Sequence, residues 1–98
     1  MTPLHKAAQE GHLSVVEYLV NQKADINAMA NVYPSGTPLH LAAKNGHLSV
    51  VEYLVNQKAN INAKDDDGKT PLRLASENKN KRIAEFLKKN GAEGDCRI

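Results

Sequence analysis

Twenty-seven residues are written twice in this 98-residue chain: Thr2 to Ala28 and Thr37 to Ala63 differ at only four positions, 6/41, 9/44, 10/45 and 25/60. A third, diverged copy begins at Thr70, so successive starts lie 35 and then 33 residues apart and the first junction holds two extra residues. A period of this size belongs to chains built from one supersecondary unit that cannot bury its apolar face alone and does so by stacking on its neighbours. That restricts the fold more than any composition could.

Each unit reads as two short helices. The first opens on Thr-Pro at Thr2, Thr37 or Thr70, with the threonine able to cap and the proline at the first helical position, where its missing N–H costs nothing. It runs about eight residues to Gly11 or Gly46, too short to persist alone. The second is expected from about Leu13 to Gln22. At 100° per residue, Ser14, Glu17 and Asn21 share a narrow polar wedge, while Leu13, Val15, Val16, Tyr18, Leu19 and Val20 cover the rest. A helix so broadly apolar needs cover on both sides.

The third copy needs it on one side only. Lys81, Ala84 and Lys88 replace Leu13, Val16 and Val20, whereas Ile83, Phe86 and Leu87 keep the opposite face apolar. This copy reads as a C-terminal cap with a solubilising outer face. At the other end, Lys6 stands where Leu41 and Leu74 stand later, which fits a position with nothing packed in front of it. The flank of the first unit around Val15, Tyr18 and Leu19 is therefore expected to be the most apolar surface of the molecule.

These residues resemble the ankyrin-repeat family. T-P-L-H at Thr2–His5 and Thr37–His40, G-H-L at Gly11–Leu13 and Gly46–Leu48, and A-D/N-I-N at Ala24–Asn27 and Ala59–Asn62 carry the resemblance over residues 2–93. It implies an all-α solenoid of stacked helix-turn-helix units with hairpin-like finger loops and a concave protein-binding groove. The expected organisation is a single domain over residues 1–98, with repeats at 2–34, 35–67 and 68–93 and a tail at 94–98. The fold it implies almost never supplies catalytic residues. There are departures: the chain starts at a helix without a preceding finger, Arg73 replaces the usual histidine, and Asn78-Lys79-Asn80 replaces the Asn-Gly-His turn. Lys23 and Lys58 stand where the family places a glycine after the second helix, at a cost of about 1 kcal/mol each if the backbone there is left-handed.

The residues themselves offer little chemistry. His5, His12, His40 and His47 recur with the repeat, without a cysteine or carboxylate at metal-ligand spacing, and by resemblance such histidines bond threonines and loops. Neither a nucleophile with an adjacent base nor a phosphate-cradling loop is present, so no enzyme activity, cofactor or metal is expected. The lone Cys96 excludes an intrachain disulfide, and neither an 18-residue apolar run nor a signal peptide is visible. The expectation is an intracellular, cytoplasmic protein. A net charge of +2 is too small to imply nucleic acid or a membrane as partner, although residues 70–90 carry six basic groups against Glu77 and Glu85.

Binding is expected from positions the fold leaves free. Gln9-Glu10 and Lys44-Asn45 differ between otherwise matching copies, and by resemblance they face the groove, with Glu77-Asn78 third in the row. The first finger holds three sizeable apolar side chains, Met29, Val32 and Tyr33, which either contact a partner or fold back on the neighbouring helix. In the second, Asp65 and Gly68 are expected to shape the turn, leaving Asp66, Asp67 and Lys69 free to reach a partner.

The leading expectation is a non-enzymatic adaptor for a protein of unstated identity, monomeric or weakly self-associating through its N-terminal repeat. Two alternatives stand beside it. One is a structural fragment of a longer array, or a duplicated or designed scaffold without an evolved partner. The other comes from the resemblance: Asn27 and Asn62 look like asparagines accepted by asparaginyl hydroxylases.

Overall fold

A computed structural model describes residues 2–30 and 35–92. Six helices follow one another: α1 (Pro3–Glu10), α2 (Leu13–Asn21), α3 (Pro38–Lys44), α4 (Leu48–Asn56), α5 (Pro71–Glu77) and α6 (Lys81–Lys89). They form three pairs, with α1, α3 and α5 in an inner row and α2, α4 and α6 in an outer row. Among the described residues the only β pairing is one antiparallel bridge, Ala30 with Gly36, at the base of the first finger.

The inner helices start where expected and for the expected reason. Thr2, Thr37 and Thr70 are extended and accept a hydrogen bond from the backbone N–H of His5, His40 and Arg73. In the first two copies the histidine returns the bond, Nδ1 accepting from the threonine N–H, which makes a capping box with histidine in place of glutamate. The outer helices end at Asn21 and Asn56, one residue earlier than the pattern alone suggests.

Past those ends, Lys23 and Lys58 are left-handed, with φ of 69° and 71°. Lys79 is a third such lysine, φ 61°, at the place of Gly11 and Gly46. An L side chain at such a position costs about 1 kcal/mol relative to glycine. Lys23→Gly and Lys58→Gly are each expected to raise stability by a few tenths to about 1 kcal/mol, read as a higher denaturant midpoint at unchanged slope; lower midpoints in both would contradict the assignment.

Small residues set the spacing of the rows. α1 and α3 carry the buried pairs Ala7-Ala8 and Ala42-Ala43, and α5 carries Ala75; with almost no side chain to separate them, the inner helices pack more extensively on each other than the outer ones do. The outer helices meet through valines and leucines instead. One core cluster runs the length of the stack, from Leu4 and Val16 through Leu39, Val50 and Leu54 to Leu72, Ile83 and Leu87.

Burial of matched positions follows place in the stack rather than residue type. Val50 and Leu54 are fully buried, whereas Val15 is 45% exposed and Leu19 only half-buried; Tyr18 is 63% exposed and Tyr53 half-buried. Lys6 is exposed where Leu41 is buried, and Lys81 and Lys88 are exposed on α6 while Ile83 and Leu87 are covered. Among the described residues only the second repeat has a repeat packed on both sides, so amide exchange in this chain is expected to be slowest in α3 and α4 and fastest in α1 and α2. Uniform protection across all six helices would contradict this.

Candidate protein-binding groove

Two side chains lock each repeat to the next, His5 and His47 at the first junction and His40 and Asn80 at the second. His5 Nδ1 sits 2.7 Å from Thr2 Oγ1, and Nε2 sits 2.8 Å from Ala28 O and 3.1 Å from Gly36 O, the two strands of the first finger's base. His40 repeats the arrangement with Thr37 Oγ1 at 2.8 Å and Lys69 O, at the base of the second finger, at 2.9 Å. Because the threonine N–H can only donate, Nδ1 accepts and the proton belongs on Nε2, where it is donated to the carbonyl. Burial pushes the His40 imidazole below its usual value, opposed by the Lys69 carbonyl, the Asp65 charge and the Ala63 carbonyl. In the third copy Arg73 stands at this position, exposed and bonded to Glu77 Oε2 at 3.0 Å instead.

His47 Nε2 donates to Gln9 O at 3.0 Å, back across the first interface. Asn80, in the same position of the third copy, donates to Ala43 O at 2.9 Å, so the substituted turn keeps the link. His12 is exposed, 3.4 Å from Glu10 Oε1. Among the described residues no three His, Cys, Asp or Glu side chains are grouped to share a metal ion, and a chelator is expected to leave the melting temperature unchanged; a chelator-induced loss of folding would overturn the structural role of these histidines.

The second finger is a tight turn. Asp65 Oδ1 accepts from Asp67 N and Lys69 N, both at 2.9 Å, Asp65 N donates to Lys69 O, and Gly68 has φ 77°. Left-handed φ without strain is what glycine supplies at that corner. The fingers touch through Asp66 N, which donates to Ser35 Oγ at 3.2 Å.

Between the fingers and the inner helices lies a concavity of about 350 Å³. Leu41 and Leu74 line its apolar part, and Lys44, Asp67, Lys69 and Glu77 supply charge of both signs. Lys69 is not free, contrary to the sequence expectation: its ammonium bridges to Glu77 Oε1 at 3.1 Å. The Lys69 ammonium, and after it the Arg73 guanidinium, hold the Glu77 carboxyl below its usual range.

Four of the sequence-derived candidates, Lys44, Asp67, Lys69 and Glu77, thus meet in one concavity. The others lie around it or apart. Gln9 is half-buried with its carbonyl taken by His47; Glu10 pairs with Lys6 at 3.3 Å; the Asn45 amide turns back to Leu41 O at 2.9 Å. Asp66 and Met29 are exposed, whereas Val32 and Tyr33 fall outside the described residues. Asn27 is exposed and its Oδ1 accepts from Asn60 N at 2.7 Å, while Asn62 N donates to Asn60 Oδ1. Reading the sequence placed Asn78 in the groove row and missed Ser35, Leu41 and Leu74; it also missed the left-handed Lys79, although its alignment with Gly11 and Gly46 carries that signal.

No helix is long and apolar enough to cross a membrane among the described residues. No curated protein matches the chain. A family model for ankyrin repeats in three copies matches residues 28–98, and a model for a single ankyrin repeat matches residues 1–31. Ankyrin repeats generally serve as protein–protein interaction modules, typically without catalysis. With six helices in three pairs, threonine caps on the inner row and histidine locks at the repeat positions, the chain belongs to the ankyrin-repeat family.

Proposed function

We propose that this chain is a non-enzymatic adaptor that seats a protein partner in the concavity between its fingers and inner helices. The concavity carries the reading: leucine side chains beside Lys44, Asp67 and the Lys69–Glu77 pair offer apolar contact and charge of both signs, the mixture that specific protein interfaces use. Gln9, Glu10 and Asn45 extend the row along the inner-helix ends, Met29, Val32 and Tyr33 extend the first finger, and Asp66 extends the second. Three of the four histidines, His5, His40 and His47, are committed to holding repeats together, which supports a binding role over catalysis. An intracellular setting fits a chain whose lone Cys96 has no intrachain partner.

One observation favours a second reading, a segment of a longer array: the exposed Val15 and Tyr18 occupy positions that an adjacent repeat covers in the second copy. Exposure of Asn27 is compatible with modification by an asparaginyl hydroxylase, but its amide oxygen already has a structural bond.

The groove reading is tested by affinity capture with the wild type, the Lys44→Glu/Asp67→Lys double variant and Val15→Asp. Proteins retained by the wild type should be lost with the double variant and kept with Val15→Asp. A double variant that has native circular dichroism and captures the same proteins would sink the groove as the binding surface.

A further inference from the structure

The third copy departs from the other two by charge of a single sign. Lys79, Lys81, Arg82, Lys88 and Lys89 stand where the earlier copies have Gly11 and Gly46, Leu13 and Leu48, Ser14 and Ser49, Val20 and Val55, and Asn21 and Asn56. The one carboxylate of α6, Glu85, matches Glu17 and Glu52. Every charge gained in α6 and in the turn before it is therefore positive. Solubility alone does not ask for this, because a surface of mixed sign serves it as well. Acids at 81 and 82 would also suit the first turn of a helix, where the dipole favours negative charge and disfavours cations. Instead Lys81 and Arg82 open α6, with no acid in its first turn and no side-chain bond from Asn80 to cap it.

The fold gathers these charges on one surface. At 100° per residue, Lys88, Lys81, Lys89 and Arg82 share an arc of about 120° on α6, with Glu85 at its middle. All five are exposed, as is Lys79. Lys6, Lys69 and Arg73 each face a carboxylate, whereas among the described residues Lys79, Lys81, Arg82, Lys88 and Lys89 have none as an ion-pair partner. Five cations thus surround a single carboxylate with their charge unspent.

Between them the surface is indented. The Lys79-Asn80-Lys81 turn separates two adjoining concavities of about 380 Å³ each. Ala84 and Lys88 line the first, Leu48 and Ile83 the second, so each combines apolar wall with a cation. Asn80 fixes the ridge, donating to Ala43 O at 2.9 Å and Lys44 O at 3.4 Å. A single strand of nucleic acid takes an aromatic platform for its bases, and a membrane surface takes an apolar side chain to insert. Among the described residues the exposed large apolar side chains, Val15, Tyr18 and Met29, belong to the first repeat and the first finger instead.

We propose that this face of the C-terminal repeat binds an acidic segment of a partner protein, its Asp or Glu carboxylates meeting Lys79, Lys81 and Lys88 and its small side chains entering the two concavities. Lys81 and Lys88 are separated by about 10 Å of helix rise, so the arc fits a segment with several acids rather than a lone carboxylate. Charge complementarity selects the occupant, and the concavities favour a peptide over a smooth polyanion. The surface is separate from the groove, with which it shares no lining residue.

The test is fluorescence anisotropy of a labelled peptide of alternating glutamate and alanine, at an ionic strength of about 0.15 M, where dispersed surface charges are largely screened. Lys81→Glu/Lys88→Glu, with native circular dichroism, should weaken binding by roughly tenfold or more. Lys23→Glu/Lys58→Glu makes the same change in net charge on exposed residues away from this face, and Lys44→Glu/Asp67→Lys alters the groove; both should bind as the wild type does. Should the reversed variant not fold, Lys81→Gln/Lys88→Gln is expected to weaken binding by a smaller factor in the same direction. Folded wild type that does not bind the peptide, or equal weakening by Lys23→Glu/Lys58→Glu, overturns the proposal. So does tighter binding of a duplex or single-stranded oligonucleotide, or of phosphatidylserine vesicles, that is lost with Lys81→Glu/Lys88→Glu, because the face would then serve a different class of partner.

Discussion

Val50→Asp is expected to destabilise the protein by about 4 kcal/mol or more, enough to unfold much of it, while Val15→Asp changes stability by no more than about 0.5 kcal/mol. The two valines sit in the same nine-residue string, LSVVEYLVN, at the same position of α2 and α4. Local sequence and helix propensity are therefore matched, and only the neighbour differs. Val50 is fully buried beneath the first repeat; Val15 is 45% exposed. An aspartate at position 50 must either stay ionised without a partner in the core or take up a proton, and both cost free energy that a domain of ordinary stability, about 5–15 kcal/mol, cannot easily absorb. Urea midpoints compared at one pH decide the matter, and similar midpoints for the two variants would show that the first repeat does not cover α4.

His40→Ala should cost about 3 kcal/mol, whereas Arg73→Ala, at the matching position, should cost no more than about 0.5 kcal/mol. The histidine is fully buried and joins Thr37 to Lys69 O at 2.9 Å. Removing it leaves an unfilled space, an unpaired Thr37 N–H and an unpaired carbonyl. The same group gives a signed pH effect. Its folded value is lowered, chiefly by burial, so the unfolded chain takes up a proton first as pH falls. Stability from this source is fully present above the unfolded value near 6.5 and is lost as pH falls from there toward the lowered folded value, at no more than about 1.4 kcal/mol per pH unit. The stability gap between wild type and His40→Ala should therefore narrow from pH 8 to pH 5. A gap that stays constant would mean that His40 titrates alike in both states.

The repeat made the architecture legible because the argument needed no structure: a helix apolar on most of its surface must be covered twice, and the copies show which positions lose that cover. Lys6, Lys81 and Lys88 identified the two ends in the same way. The groove was only half legible. Lys44 and Glu77 stood out as changes between copies on one helix row, and Asp67 as a polar turn residue. The Lys69–Glu77 bridge did not, because it joins a finger to an inner helix whose relative position is set by the His40 lock and the turn at Asp65. Leu41 and Leu74 stood out only as the counterparts of Lys6; both are nearly buried, yet their edges reach the concavity.

The unequal packing of the two rows gives the molecule a built-in bending axis. Alanine-lined contacts bind α1, α3 and α5 closely, while α2, α4 and α6 share fewer contacts along the stack. Stiffness is consequently concentrated in the inner row, which acts as a spine, and the outer helices can fan apart or close up around it with less disruption of the core. A ligand seated on the spine side that demands a flatter or tighter curve is met by rotation about that line. The compliance is directional: side-to-side shear of the alanine contacts meets close-packed backbone, whereas opening of the convex side meets only the more sparsely packed outer helices.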